Sequence, residues 1–148
     1  MDAATEGAVV SAHPTPERFN EPLSPKLQSL RTGGRNGWAF DVPRGWYLIV
    51  ADLDRDLDTL TGGLFRYFQI KEKFGSLRVH LRFDADLSPE LRAQARTRIE
   101  AASSQSTVTC DNCGAPGEQR THRGWLRILC DACDAHETQI TAKLRSQQ

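Results

Sequence analysis

Cys110-Asp111-Asn112-Cys113-Gly114-Ala115-Pro116-Gly117, followed after Glu118 to Leu129 by Cys130-Asp131-Ala132-Cys133, is the stretch whose reading decides the C-terminal fold. The chain has four cysteines, and all of them fall in these two Cys-x-x-Cys pairs. Two thiolates three residues apart can bind one ion from a single turn, and a second such pair completes a tetrahedral set. The reading is one structural zinc(II) per chain, ligated by Cys110, Cys113, Cys130 and Cys133. Four sulfur ligands leave no open position, which argues against catalytic zinc. A redox dithiol is the competing reading, but a second matched pair is superfluous for that role. His136 is an alternative ligand by spacing, with a surface position as its plainer reading.

Around the cysteines, Gly114 supplies the unusual backbone of a knuckle. Thr121 to Gly124 reads as a turn between Glu118–Arg120 and Trp125–Leu129, and residues 131–145 read as a helix carrying the second pair on its first turn. Knuckle, hairpin and helix describe a treble clef. On these residues the segment resembles GATA-type zinc fingers over about 35 residues, and that resemblance implies DNA binding. The charge does not follow the pattern. From Cys110 onward, Arg120, Arg123, Arg127, Lys143 and Arg145 are balanced by Asp111, Glu118, Asp131, Asp134 and Glu137. Phosphate affinity needs a cationic excess, so DNA binding by this module alone is disfavoured.

Working outward, Trp46, Ile49, Val50, Leu53, Leu57 and Leu60 recur at helical spacing and are stopped by Gly62-Gly63. Asp52, Asp54, Asp56 and Asp58 suggest an EF-hand loop, but Leu57 and Gly63 stand where that loop needs Gly and Glu. They are read instead as a solvated acidic face. Leu77, Val79, Leu81 and Phe83 alternate with Arg78, His80 and Arg82 as in a half-buried strand. Phe65–Ile70 is its expected partner across a turn at residues 71–76. Ser88-Pro89-Glu90 is an N-cap, a first-turn proline and an early acid, opening a helix to about Ala102. Ser103–Ser106 reads as a linker.

The predicted fold class is α+β, a helix–hairpin–helix core with a C-terminal treble-clef-like zinc module. The expected organisation is a flexible arm over residues 1–36, a core over 37–106 and the module over 107–148. Phe19, Leu23, Leu27 and Leu30 could anchor a short helix within the arm. Loss of metal is expected to melt 107–145 and spare the core.

Beyond the module, Gln69-Ile70-Lys71-Glu72-Lys73-Phe74-Gly75-Ser76-Leu77-Arg78 joins the Cys-x-x-Cys-Gly-Ala-Pro-Gly and Gly124-Trp125-Leu126-Arg127 segments. Together they resemble a group of small uncharacterised proteins of bacteria and their phages over about residues 45–135. The resemblance implies a shared hairpin-plus-zinc fold and a mobile-element context, and it brings no activity.

Nineteen basic and nineteen acidic residues in 148 give zero formal charge, so any polyanion affinity must be local. One local excess exists. Arg66, Lys71, Lys73, Arg78 and Arg82 face only Glu72 between Leu64 and Phe83. With Phe68 and Ile70 taken as inward, Tyr67, Lys71, Arg78, His80 and Arg82 share an outer face, with Lys73 beside it. Trp38, in a Gly-rich loop, is the candidate exposed anchor, whereas Trp46 is expected in the core and Trp125 over the metal hairpin. No basic n-region opens the chain and its longest apolar run, Trp46 to Ala51, is too short to span a bilayer. The expectation is a cytoplasmic, non-enzymatic binding or regulatory protein without membrane contact. Another protein is the leading partner, and nucleic acid on the basic hairpin face is the alternative.

Overall fold

Leu27, Trp46, Leu57, Ile70 and Leu77 are almost wholly removed from solvent and define the centre of the main core. The computed structural model describes residues 23–33 and 39–147. Its elements run α1 (Pro25–Gly33), β1 (Phe40–Asp41), a 3-10 turn (Arg44–Trp46), α2 (Tyr47–Thr61), β2 (Phe65–Lys73), β3 (Ser76–Phe83), α3 (Pro89–Ser106), β4 (Glu118–Arg120), β5 (Arg127–Leu129) and α4 (Asp131–Ser146). The α+β class is as expected. One sheet has the order β1-β2-β3, and a second consists of β4 and β5. Helices α2 and α3 pack together, and α3 lies against β3.

Local chemistry explains most boundaries. Gly62, at φ 64°, ends α2 in the left-handed region that favours glycine. The Ser88 hydroxyl accepts the Leu91 N–H at 3.2 Å, with Pro89 at the first helical position of α3. The β2–β3 turn is tighter than the expected six residues. Phe74 and Gly75 both take positive φ, 55° and 79°, as a two-residue hairpin turn requires. Ser103–Ser106 is not a linker but the last turn of α3, because the buried Ser106 Oγ accepts the Leu77 N–H at 2.8 Å.

Leu27 anchors a short helix as expected, inside the segment read as a flexible arm. Lys26 Nζ fixes α1 by donating to the carbonyls of Gly63 and Phe65 at 3.0 and 2.7 Å. The rest of that segment, residues 1–22 and 34–36, lies outside the described residues, as does Trp38.

Two expectations about faces are corrected. Tyr67 pairs with Leu81 but Gln69 already pairs with His80, so β2 advances two residues while β3 advances one. Phe68 is the extra residue of a β-bulge. The alternation is therefore reset. Tyr67 turns inward, 7% exposed, and Phe68 turns out, 41% exposed. Tyr67 is not part of the outer face. The acidic face is broken at Asp54, which is 6% exposed and accepts the Tyr67 hydroxyl at 2.8 Å. Burial first, then the charge of Asp54, raises the Tyr67 pKa well above the ordinary tyrosine range, so its hydroxyl stays a donor. Tyr67→Phe keeps the ring but strands a buried carboxylate. Chemical denaturation is expected to show a loss of about 1–3 kcal/mol. An unchanged midpoint would show that the bond contributes nothing.

Candidate functional site

The first cysteine pair sits on a knuckle closed by two backbone bonds, Gly114 N–H to the Cys110 carbonyl at 2.9 Å and Cys110 N–H to the Ala115 carbonyl at 2.7 Å. Gly114 takes φ 82°, which permits the reversal. The β4–β5 hairpin follows, in antiparallel register Glu118↔Leu129 to Arg120↔Arg127. It delivers the chain to α4, whose N-cap is Cys130 and whose first turn carries Cys133. Knuckle, hairpin and helix trace the expected path.

This path brings the four buried sulfurs within 4.8 Å of one another, with no disulfide among them. Cys113 Sγ and Cys130 Sγ are 3.7 Å apart. Four ligands at about 2.3 Å around a tetrahedral ion require edges of about 3.8 Å, so the donor set fits a metal ion. Other groups support the anionic charge of such a site. Asn112 Nδ2 and the Cys133 N–H donate to Cys133 Sγ and Cys130 Sγ, at 3.3 and 3.4 Å respectively. The N-terminus of α4 adds a favourable dipole. Burial pushes the Cys113 thiol up and raises that of Cys133 to about 11. At Cys110 burial acts in the same direction but is outweighed by backbone N–H donors, which lower its pKa. Without a cation, then, these buried thiols do not all ionise together. His136 is exposed and does not belong to the cluster.

A polar ring fixes the scaffold from outside. Asp111 accepts Arg127 Nη2 at 2.7 Å and Nε at 2.9 Å, while Arg127 Nη1 reaches Glu137 on α4 at 2.8 Å. The hydrogen bond to Asp111 is the main reason the Arg127 guanidinium is held above its ordinary pKa. Arg123 and His122 both bond Asp134, and Arg123 foremost lowers that carboxyl below its usual range. These contacts join knuckle, hairpin and helix, and they were not evident from a balanced charge count.

The module is also joined to the core. Trp46 Nε1 donates to the Thr109 carbonyl at 2.9 Å, and the Gly45 N–H donates to the Asp111 carbonyl at 2.9 Å. A Cβ on Gly45 would collide with the Cys110 carbonyl oxygen, so only glycine allows this approach. Ile128 of β5 belongs to the main core.

The surface residues expected from sequence divide into groups. Arg78, His80 and Arg82 are exposed on the sheet face away from the core, and Lys71 is half-buried opposite Arg78. Lys73 is exposed near the Phe74 ring, with Nζ 5.6 Å from its centroid. Two exposed aromatic residues that the sequence reading missed are Phe68 and Phe74, the latter 76% exposed. Trp125 is 54% exposed and covers the module only in part. Phe74, Trp125, Lys71, Lys73, Pro43 and Leu126 line a cleft of about 770 Å³ between hairpin tip and cysteine module. Phe74 is exposed because it takes the first position of the Phe74-Gly75 turn at the tip of the hairpin, whereas Gly75 is buried against Leu126. Among the described residues no helix is long and apolar enough to cross a membrane. No protein-family model, curated protein or solved structure matches the chain.

Proposed function

We propose that the protein is a non-enzymatic binding protein in which one zinc(II), ligated by Cys110, Cys113, Cys130 and Cys133, is structural, and which acts through contacts with another protein. Thiolate donors in tetrahedral array suit zinc among the common divalent ions. All four positions are filled by sulfur, so the residues around the ion hold shape and bind no substrate there. The observation that carries the reading is the cleft beside the module, flanked by the exposed rings of Phe74 and Trp125. Both rings are displayed at turns, and aromatic side chains of this kind dominate binding energy at protein interfaces. Lys71 and Lys73 at the same cleft favour a partner segment that combines apolar and acidic residues.

The test is affinity capture from the source cell, followed by reconstitution with the purified partner. A one-to-one complex stable in moderate salt is expected. The Phe74→Ala/Trp125→Ala double variant should weaken it by about thirty-fold or more, the equivalent of about 2 kcal/mol. A reconstituted complex that this variant leaves unchanged rules out the cleft, and absence of any such complex rules out the reading.

A further inference from the structure

On the outer face of the β1-β2-β3 sheet Arg66, Phe68, Arg78, His80 and Arg82 are exposed while Gln69 is buried, and these side chains are not those of an ordinary mixed surface. Register places Arg66 beside Arg82, Gln69 beside His80 and Lys71 beside Arg78. Arg66, Arg78, His80 and Arg82 are exposed, and none of Arg66, Lys71, Arg78 and Arg82 forms an ion pair with a described residue. The sole carboxylate that the described register places on this face is Asp41, beside Lys71 at the β1 edge. Four permanent cations therefore occupy two adjacent strands against one acid.

Into this cationic field the β-bulge projects an aromatic ring. Two guanidinium groups lie close to the Phe68 ring, with Arg66 Cζ 5.6 Å and Arg82 Cζ 5.3 Å from its centroid. An apolar ring at 41% exposure gains nothing from the α2–α3 core, and the bulge that displays it interrupts the ladder. We infer that this face is a binding site for single-stranded nucleic acid, with Phe68 stacking a base and Arg66, Arg78, Arg82 and Lys71 neutralising the backbone. Single strands offer both the aromatic faces and the phosphates that such a surface matches. A duplex offers the phosphates but keeps its base faces stacked, leaving Phe68 without a partner. The site lies on the outer face of the sheet and shares only Lys71 with the cleft at Phe74 and Trp125.

The experiment is fluorescence anisotropy with the full chain and oligothymidylate or oligouridylate of about twelve nucleotides, within the usual range of site sizes. With four cations engaged, affinity should fall about fifty-fold between about 50 and about 200 mM salt. Arg78→Ala/Arg82→Ala should weaken binding and flatten the log–log salt slope by about 1.4. Phe68→Leu should weaken binding about ten-fold with the slope unchanged, whereas Phe68→Tyr should preserve it. This pair separates stacking from loss of fold, because both variants keep a large apolar group on the bulge. Phe74→Ala/Trp125→Ala should bind as the parent does. No binding at about 50 mM salt, equal binding of a matched duplex, or equal affinity of the Phe68→Leu and Phe68→Tyr variants would each overturn the inference.

Discussion

Removing the metal, by chelation or by Cys113→Ser, is expected to unfold residues 107–146 and to lower the stability of the α+β core with them. Apparent binding energies of structural zinc in small domains are about 10–16 kcal/mol, comparable to the whole folding free energy of a typical domain. Apart from the polar ring and its contacts with the core, the module has little apolar interior of its own. Its own buried cluster consists of the four cysteines with Ala115 and Leu129. The loss is expected to reach beyond residue 107, where the sequence alone led to the expectation that the core is spared. Ile128 sits in the main core, Thr109 and Asp111 receive bonds from Trp46 and Gly45, and Leu126 packs against the same cluster. Unfolding the module therefore opens one side of the Trp46 site to water. The parent should contain one zinc per chain. Circular dichroism of the metal-free protein should show loss of helix beyond α4, and the melting temperature of what remains should fall. A metal-free chain that melts as the parent does would remove the structural role assigned to the site.

The second large effect is expected at Trp46 itself. Its side chain is fully buried and its indole N–H holds the Thr109 carbonyl, next to the ligand Cys110. Trp46→Ala should cost about 3–5 kcal/mol through the cavity it leaves. Loss of the donor to the half-buried Thr109 carbonyl adds to that cost. For a chain of this size the melting temperature should drop by about 10 °C or more. Trp46→Phe, which retains most of the apolar volume but not the donor, should lose less stability. Both variants should also release metal more readily in a chelator competition, because the Thr109 anchor positions the knuckle. A destabilisation below about 1 kcal/mol for Trp46→Ala would mean that the site collapses without a void.

The difference between what was legible and what was not follows the range of the interactions. The cysteine quartet was legible because its spacing places each pair of ligands within one turn, whatever the rest of the chain does. Gly62 ending α2 and Ser88-Pro89 opening α3 were legible for the same reason, since caps act over three or four residues. Tyr67 was misplaced because a bulge is a property of two strands. No feature of Phe65–Ile70 taken alone says that β2 will advance two residues while β3 advances one. Asp54 followed Tyr67, since its burial is tolerable only with that hydroxyl opposite it. Ser106 looked like a linker residue until Leu77, 29 residues earlier, was found to need its oxygen.

By itself, the sequence determined the α+β class, the cysteine quartet, the helix caps and the cationic excess of the hairpin. These rest on covalent spacing, backbone conformational preference and composition, which need no partner element. The tertiary structure alone decided which aromatic ring reaches solvent, how the module is joined to the core through Gly45 and Trp46, and where the hairpin's arginines point. Those outcomes depend on strand register and on close contact between segments some sixty residues apart in sequence, such as Trp46 and Thr109. Only folding brings such segments together.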